Sequence, residues 1–258
     1  MTAQIPWWQN QTSAEIAARD KAQLVAVLPL AAVEQHGDHL PLSTDLDINL
    51  GLLEAACRQL PASTDALVLP PLAVTASPEH SGFSGTLDIG PLALIDCIRN
   101  IGRSIANTGV RRLVLCNSHG GNGHAAGIAA LALRDEHGML VVQADYFRMP
   151  IPDGLLPADE RRDGLHGGAL ETSLMLALHP QAVRADAIRP AAAITSRHVS
   201  GQMPSPMAWR AEDLDDTGVI GNPTLGSAAI GRTLVEHYAA GLADVIAATA
   251  RRTWPEEQ

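Results

Sequence analysis

Short, continuously apolar runs alternate with longer runs whose apolar residues recur at helical spacing. This alternation constrains the fold more than any other feature of the chain. "LVAVLPL" (24–30), "ALVLPPLAV" (66–74), "RRLVLCN" (111–117) and "MLVVQADYF" (139–147) read as strands. "DINLGLLEAACRQL" (47–60), "GPLALIDCIRNIGRSIANTG" (90–109) and "GHAAGIAALALRDEHG" (123–138) read as helices, the last closing on Gly138 as its C-terminal cap. Repeated strand–helix–strand order predicts a parallel sheet with helices on both faces. In such a sheet the loops that follow strands gather at one edge, where segments remote in sequence can meet.

Further along, "RMPIPDGLLPADERRDG" (148–164) is rich in Pro, Gly and charge and reads as a loop. "GALETSLMLALHP" (168–180) reads as a helix, 190–223 as irregular, and "LGSAAIGRTLVEHYAAGLADVIAATARR" (225–252) as a long helix, its last turn basic as the helix dipole favours. No internal repeat and no clean linker divides the chain, so residues 1–258 are taken as a single domain. The formal net charge of −10 argues against a nucleic-acid partner. No apolar stretch reaches the roughly 18 residues that span a bilayer, so no membrane partner is expected. Cys57, Cys97 and Cys116 form no CxxC pair and read as reduced, packed thiols. With no basic-then-apolar leader at the start, the expected location is cytoplasmic.

Nearly all informative polar residues lie in four short segments. The first, "AAVEQHGDHLPLSTD" (31–45), follows the first strand and puts Glu34, His36, His39 and Asp45 in what reads as one loop. Carboxylate oxygen and imidazole nitrogen are the donors a divalent metal takes. Glu34 and His36 are two apart, so an extended backbone aims both to one side. The second segment is "SPEHSGFSGT" (77–86), the third "NSHGGN" (117–122) at a strand end, and the fourth "HGGALETS" (166–173) opening a helix. In the third, Gly120 and Gly121 beside His119 leave room for close backbone approach.

These segments, with the later "GVIGNPT", occur in the order seen in the creatininase (creatinine amidohydrolase) family, and the chain resembles that family over residues 24–227. The resemblance implies a dinuclear metal amide hydrolase on a three-layer α/β/α fold with a mostly parallel central sheet. Glu34, His36, Asp45 and His119 would be metal ligands, with Asp45 bridging two divalent ions per chain (Zn, Mn or Fe). His166 matches the catalytic histidine. Creatininase carries a Tyr and a liganding Glu where this chain has Gly120 and Gly121. Glu171 is the candidate to take that ligand's place, as ligand or as base. His39 and His80 are read as outer residues steadying the ligands. Ser77 and Asp163 are read as substrate contacts, Asp163 alternatively orienting His166. The family likeness also implies a homo-oligomer, a hexamer. Trp7 and Trp8, the final helix and a 190–223 segment holding Met203, Met207 and Trp209 are the surfaces offered for it.

Amide hydrolysis needs a nucleophile, stabilisation of charge on the carbonyl oxygen and a proton for the leaving nitrogen. Two metals can supply the first two and a histidine such as His166 the third. The expected substrate is a small molecule: an amide, formamide or lactam. No Trp lies in 140–170, where creatininase has its substrate tryptophans, which argues against creatinine itself; Tyr146 and Phe147 are the available aromatic wall. A formylamino-pyrimidine is the runner-up substrate. A non-catalytic, metal-bound partner in peptide-derived cofactor maturation is the rival from another class. A serine hydrolase is disfavoured because G-x-S-x-G does not occur, and a nucleotide module because neither G-x-G-x-x-G nor G-K-[ST] does.

Overall fold

In a computed structural model, which describes residues 5–190 and 207–253, four strands form one parallel sheet in the order β2-β1-β3-β4. They are β1 (Val25–Leu30), β2 (Ala66–Val68), β3 (Arg112–Asn117) and β4 (Leu140–Asp145). β1 pairs with β3 from Val25↔Arg112 to Leu30↔Asn117, so the two central strands end level with one another. Every residue of β1 is buried, as a strand covered on both faces requires. Its side chains alternate: Val25 and Val27 join one hydrophobic cluster, Ala26, Leu28 and Leu30 the other. Pro29 is tolerated in this central strand because its missing N–H would point towards β2, whose regular pairing has already ended at Val27↔Val68.

The helices divide between the two faces. α2 (Thr44–Gln59), α6 (Ala169–Leu178) and α8 (Ala228–Arg251) cover the first cluster; α3 (Gly90–Asn107) and α4 (Gly123–His137) cover the second. The fold is therefore the three-layer α/β/α arrangement. α1 (Ser13–Ala18) adds Ile16 to the second cluster, its start fixed by a reciprocal Thr12–Glu15 capping box. Among the described residues no helix is long and apolar enough to cross a membrane.

Several expectations change. The 66–74 run is a strand only to Val68, because Pro70 and Pro71 cannot donate to a ladder; Leu72 then makes one isolated bridge to Leu30. The 148–164 stretch contains a helix, α5 (Ala158–Asp163). Within 190–223, α7 (Ala211–Leu214) is helical, while Met203 lies outside the described residues. Trp7 packs on the first cluster and Trp8 on the second, both on their own chain. In α8, Leu234, Tyr238, Leu242 and Ile246 are buried in the first cluster, while Ile230, Val235 and Val245 are partly buried against it.

Candidate metal centre and active site

The carboxyl ends of β1 and β3 deliver the site. Glu34 and His36 follow β1, in a turn made by Gly37 with φ +67. Val219 covers this glycine so closely that a Cβ there would sit 2.4 Å from Val219 Cγ2. Asp45 is not in the loop. It lies in the first turn of α2, where a carboxylate complements the helix dipole. Its backbone carbonyl accepts from Ser118 Oγ at 2.8 Å, just beyond β3. His119 follows Ser118, and His166 and Glu171 flank the start of α6.

These side chains converge in the interior. Glu34 Oε1 is 3.2 Å from His119 Nδ1, 3.4 Å from His80 Nε2 and 3.6 Å from His166 Nδ1. The two oxygens of Asp45 face different histidines: Oδ1 is 3.4 Å from His36 Nε2 and Oδ2 is 3.3 Å from His119 Nδ1. Glu171 Oε1 is 3.8 Å from His36 Nε2. The donor atoms form one set from Glu34, Asp45 and His119 and a second from His36, Asp45 and Glu171, each within 4.8 Å; Glu34, His36 and His166 make a third that links them. The rings of His36 and His80 each lie 4.2 Å, centroid to centroid, from that of His166.

The outer ring nitrogens set the tautomers. A backbone carbonyl only accepts, so the nitrogen facing it carries the proton. His36 Nδ1 faces Glu34 O at 3.2 Å, His119 Nε2 faces Ala76 O at 2.8 Å and His166 Nε2 faces Gln35 O at 2.6 Å. The other nitrogen of each ring, the one that is bare when the ring is neutral, is turned towards the acids. Gln35, buried between Glu34 and His36, points the other way and bonds His80 Nδ1 and Gly218 O.

This donor set fits a divalent metal. Both oxygens of Glu34, Asp45 Oδ2 and His36 Nε2 are buried with no hydrogen-bond partner among the described residues, and their residues fall in the overlapping donor sets. Without a cation only protons can neutralise such a cluster. Burial opposes charge on His36 and His119. Even so, Asp45 and Glu171 hold His36, and Glu34 and Asp45 hold His119, well above the usual histidine range. The same imidazoles draw Asp45 and Glu171 below the usual carboxylate range despite burial. His166 is pushed down, first by burial and then by His36. Metal uptake would displace the protons on His36 and His119.

The remaining expected residues take distinct places. Ser77 Oγ sits 3.3 Å from His119 Nε2, on the outer side of that ring. His39 bonds Thr172 Oγ1 at 2.9 Å, supporting the neighbour of Glu171 rather than Glu34 or His36. Asp163 ends α5 and is paired with Arg162. Tyr146 is buried among Phe147 and Tyr238. Gly121 could not carry a ligand: a Cβ there would lie 2.5 Å from His119 Nε2 and 2.6 Å from Ala76 O. Glu171 is the acid nearest His36 besides Asp45. Glu79, read from the sequence as shaping the pocket with His80, lies 3.6 Å from His119; burial raises its carboxyl pKa.

An α/β/α domain with buried histidines and acids gathered at the carboxyl edge of a parallel sheet is a framework that could hold a catalytic metal. The chain belongs to the creatininase family, whose model, described as creatinine amidohydrolase, matches residues 9–246. It is 34% identical over 229 residues to a mycofactocin precursor peptide peptidase of Mycolicibacterium smegmatis, covering 86% of this chain and 84% of that protein. It is also 34% identical over 200 residues to the creatinine amidohydrolase of Pseudomonas putida, covering 69% and 72%. Two solved creatininase structures share the fold. One is a manganese form (TM-score 0.76, 26% identity, 96% of this chain and 100% of that one). The other is a zinc–zinc form of a variant (TM-score 0.77, 25% identity, 97% and 100%).

Proposed function

We propose that the protein is a metal-dependent amidohydrolase that holds two divalent ions and cleaves an amide C–N bond. The observation that carries this is the pair of three-donor sets sharing Asp45, with four of their buried atoms unpartnered. Glu34, Asp45 and His119 would hold one ion, and His36, Asp45 and Glu171 the other. Zinc, manganese and iron all accept such mixed N/O donors. When bound, the ions would acidify water and polarise a carbonyl.

The residues of the chain divide the remaining work. His166 has Nε2 committed to the Gln35 carbonyl, so Nδ1 is the atom that accepts and returns a proton. Its lowered pKa keeps Nδ1 free to accept at neutral pH. His80, whose Nδ1 is held by Gln35 Nε2, turns Nε2 towards Glu34 Oε1 at 3.4 Å and stacks on His166. The proton that Nδ1 takes up is the one required by the departing nitrogen.

Two substrate classes follow. Small or cyclic amides and formamides are the class read from the sequence. A peptide bond is the second, and the relatives favour it: those called mycofactocin precursor peptide peptidase match over more of the chain than the creatinine amidohydrolase does. The test is metal content of wild type and Asp45→Ala, with hydrolysis of creatinine, small lactams, formamides and short peptides assayed in parallel. Wild type should bind two ions and Asp45→Ala none. Two ions retained by the variant would refute the shared ligand, and no turnover of any amide by metal-loaded wild type would refute the hydrolase. Assembly into a homo-oligomer is part of the same proposal; a scattering mass near the 27.2 kDa of one chain would exclude it.

A further inference from the structure

Glu160 lies outside the cluster, yet it is buried at 8% exposure, and both its oxygens accept backbone N–H groups. Oε1 accepts from Ala169 N at 2.8 Å and Oε2 from Asn222 N at 2.8 Å. Those two amides flank a short antiparallel bridge. His166 N donates to Ile220 O at 3.0 Å, and Ile220 N donates to His166 O at 2.7 Å. The carboxylate ties together the same two segments that this bridge joins. It also completes the start of α6, whose N-cap is Gly168 and has no side chain to offer.

Space for the carboxylate is cleared on three sides. A Cβ on Gly164 or Gly168 would lie 2.6 Å from Oε1, and one on Gly221 2.9 Å from it. The segment pinned in this way carries His166, and the helix whose start it caps carries Glu171. Val219, beside the bridge, closes over Gly37 and Gly167. We infer that Glu160 is a positioning residue: by tying Ala169 to Asn222 it sets where His166 Nδ1 and the Glu171 carboxylate stand relative to Glu34 and His36. The inference rests on the proposed roles of His166 and Glu171.

The test uses the full-length protein with Glu160→Gln, which keeps the volume but sets an NH2 against one of the two N–H donors. Leu133→Ala, in the core on the opposite face of the sheet, is the control for simple destabilisation. Three signals are read: the His166 imidazole proton bonded to Gln35 by NMR, amide exchange at His166, Ile220 and Asn222, and affinity for manganese alone. Glu160→Gln should shift or broaden the imidazole signal, speed exchange at the three amides more than Leu133→Ala does, and weaken manganese binding by about 10-fold. Gly168→Ala, which crowds the same carboxylate, should move the signals the same way. If Glu160→Gln matches Leu133→Ala in all three, Glu160 supports only the fold and the inference fails. If wild type binds none of manganese, zinc and iron(II), the metal-hydrolase reading fails, and the imidazole and exchange signals still decide the role of Glu160.

Discussion

Asn49 offers the sharpest test of how the sheet holds the site. It lies one turn after Asp45 on α2, is 2% exposed, and directs Nδ2 at Leu30 O (3.1 Å), Cys116 O (2.9 Å) and Ser118 Oγ (3.1 Å). Two N–H bonds thus serve three acceptors, joining α2 to the carboxyl ends of β1 and β3. Asn49→Ala removes both donors. At about 1 kcal/mol net per hydrogen bond, with about 1 more for acceptors left dry in the interior, the expected loss is about 3 kcal/mol. For a chain of this size that is a fall in Tm of roughly 10 °C, at about 2–4 °C per kcal/mol. Asn49→Asp, of equal size but with no donor and an added charge, should cost more than the alanine variant. Urea unfolding of the metal-stripped proteins gives the numbers. Manganese titration then reads the effect on the site, because Ser118 links this contact to the Asp45 backbone. A loss below about 1 kcal/mol for Asn49→Ala, or Asn49→Asp no worse than alanine, would refute the reasoning.

Three further outcomes are expected. His166→Ala should retain its metal but lose activity by about 10²–10⁴-fold; loss of metal instead would make His166 a ligand. Tyr238 is fully buried with no hydrogen-bond partner for its hydroxyl, so Tyr238→Phe should stabilise the protein by about 1 kcal/mol in urea unfolding. Burial also raises the Tyr238 pKa, so the unfolded phenol ionises first. Wild type should therefore lose stability as pH rises above about 10, and the gap to the Phe variant should widen there. Burial pushes Cys57 up to about 11 and Cys116 up to about 12. At pH 8 both should resist iodoacetamide more than about 100-fold relative to the unfolded chain, and prompt native labelling of Cys116 would contradict this.

Much of the architecture was legible because its signals are local. The four apolar runs are strands, and all four polar segments reach one edge of the sheet. What the sequence hid depends on distant partners. Asp45 read as a loop residue because the apolar periodicity of α2 becomes visible only after it, while the helix itself begins at Thr44. Glu160 sits in a charged, Pro- and Gly-rich stretch where burial of one acid has no local mark; only its contacts with Ala169 and Asn222 set it apart. Gln35 lies between two proposed ligands, and its contact with Gly218, from far along the chain, has no local mark. Trp7 and Trp8 are offered as a subunit contact; each also packs, partly buried, against a hydrophobic cluster of its own chain that is assembled from distant elements.

The two donor sets join positions as far apart in the chain as Glu34 and Glu171, with Asp45 and His119 drawn from two further elements. No partly folded chain can offer more than a fraction of them at once. Any ion that binds here recognises only the completed native state, so its binding free energy adds in full to the folding equilibrium. If metal loads as proposed, it would therefore report on assembly: a chain able to hold it has brought the ends of β1 and β3 together with α2 and α6, and its loss would leave the chain more exposed to unfolding and proteolysis.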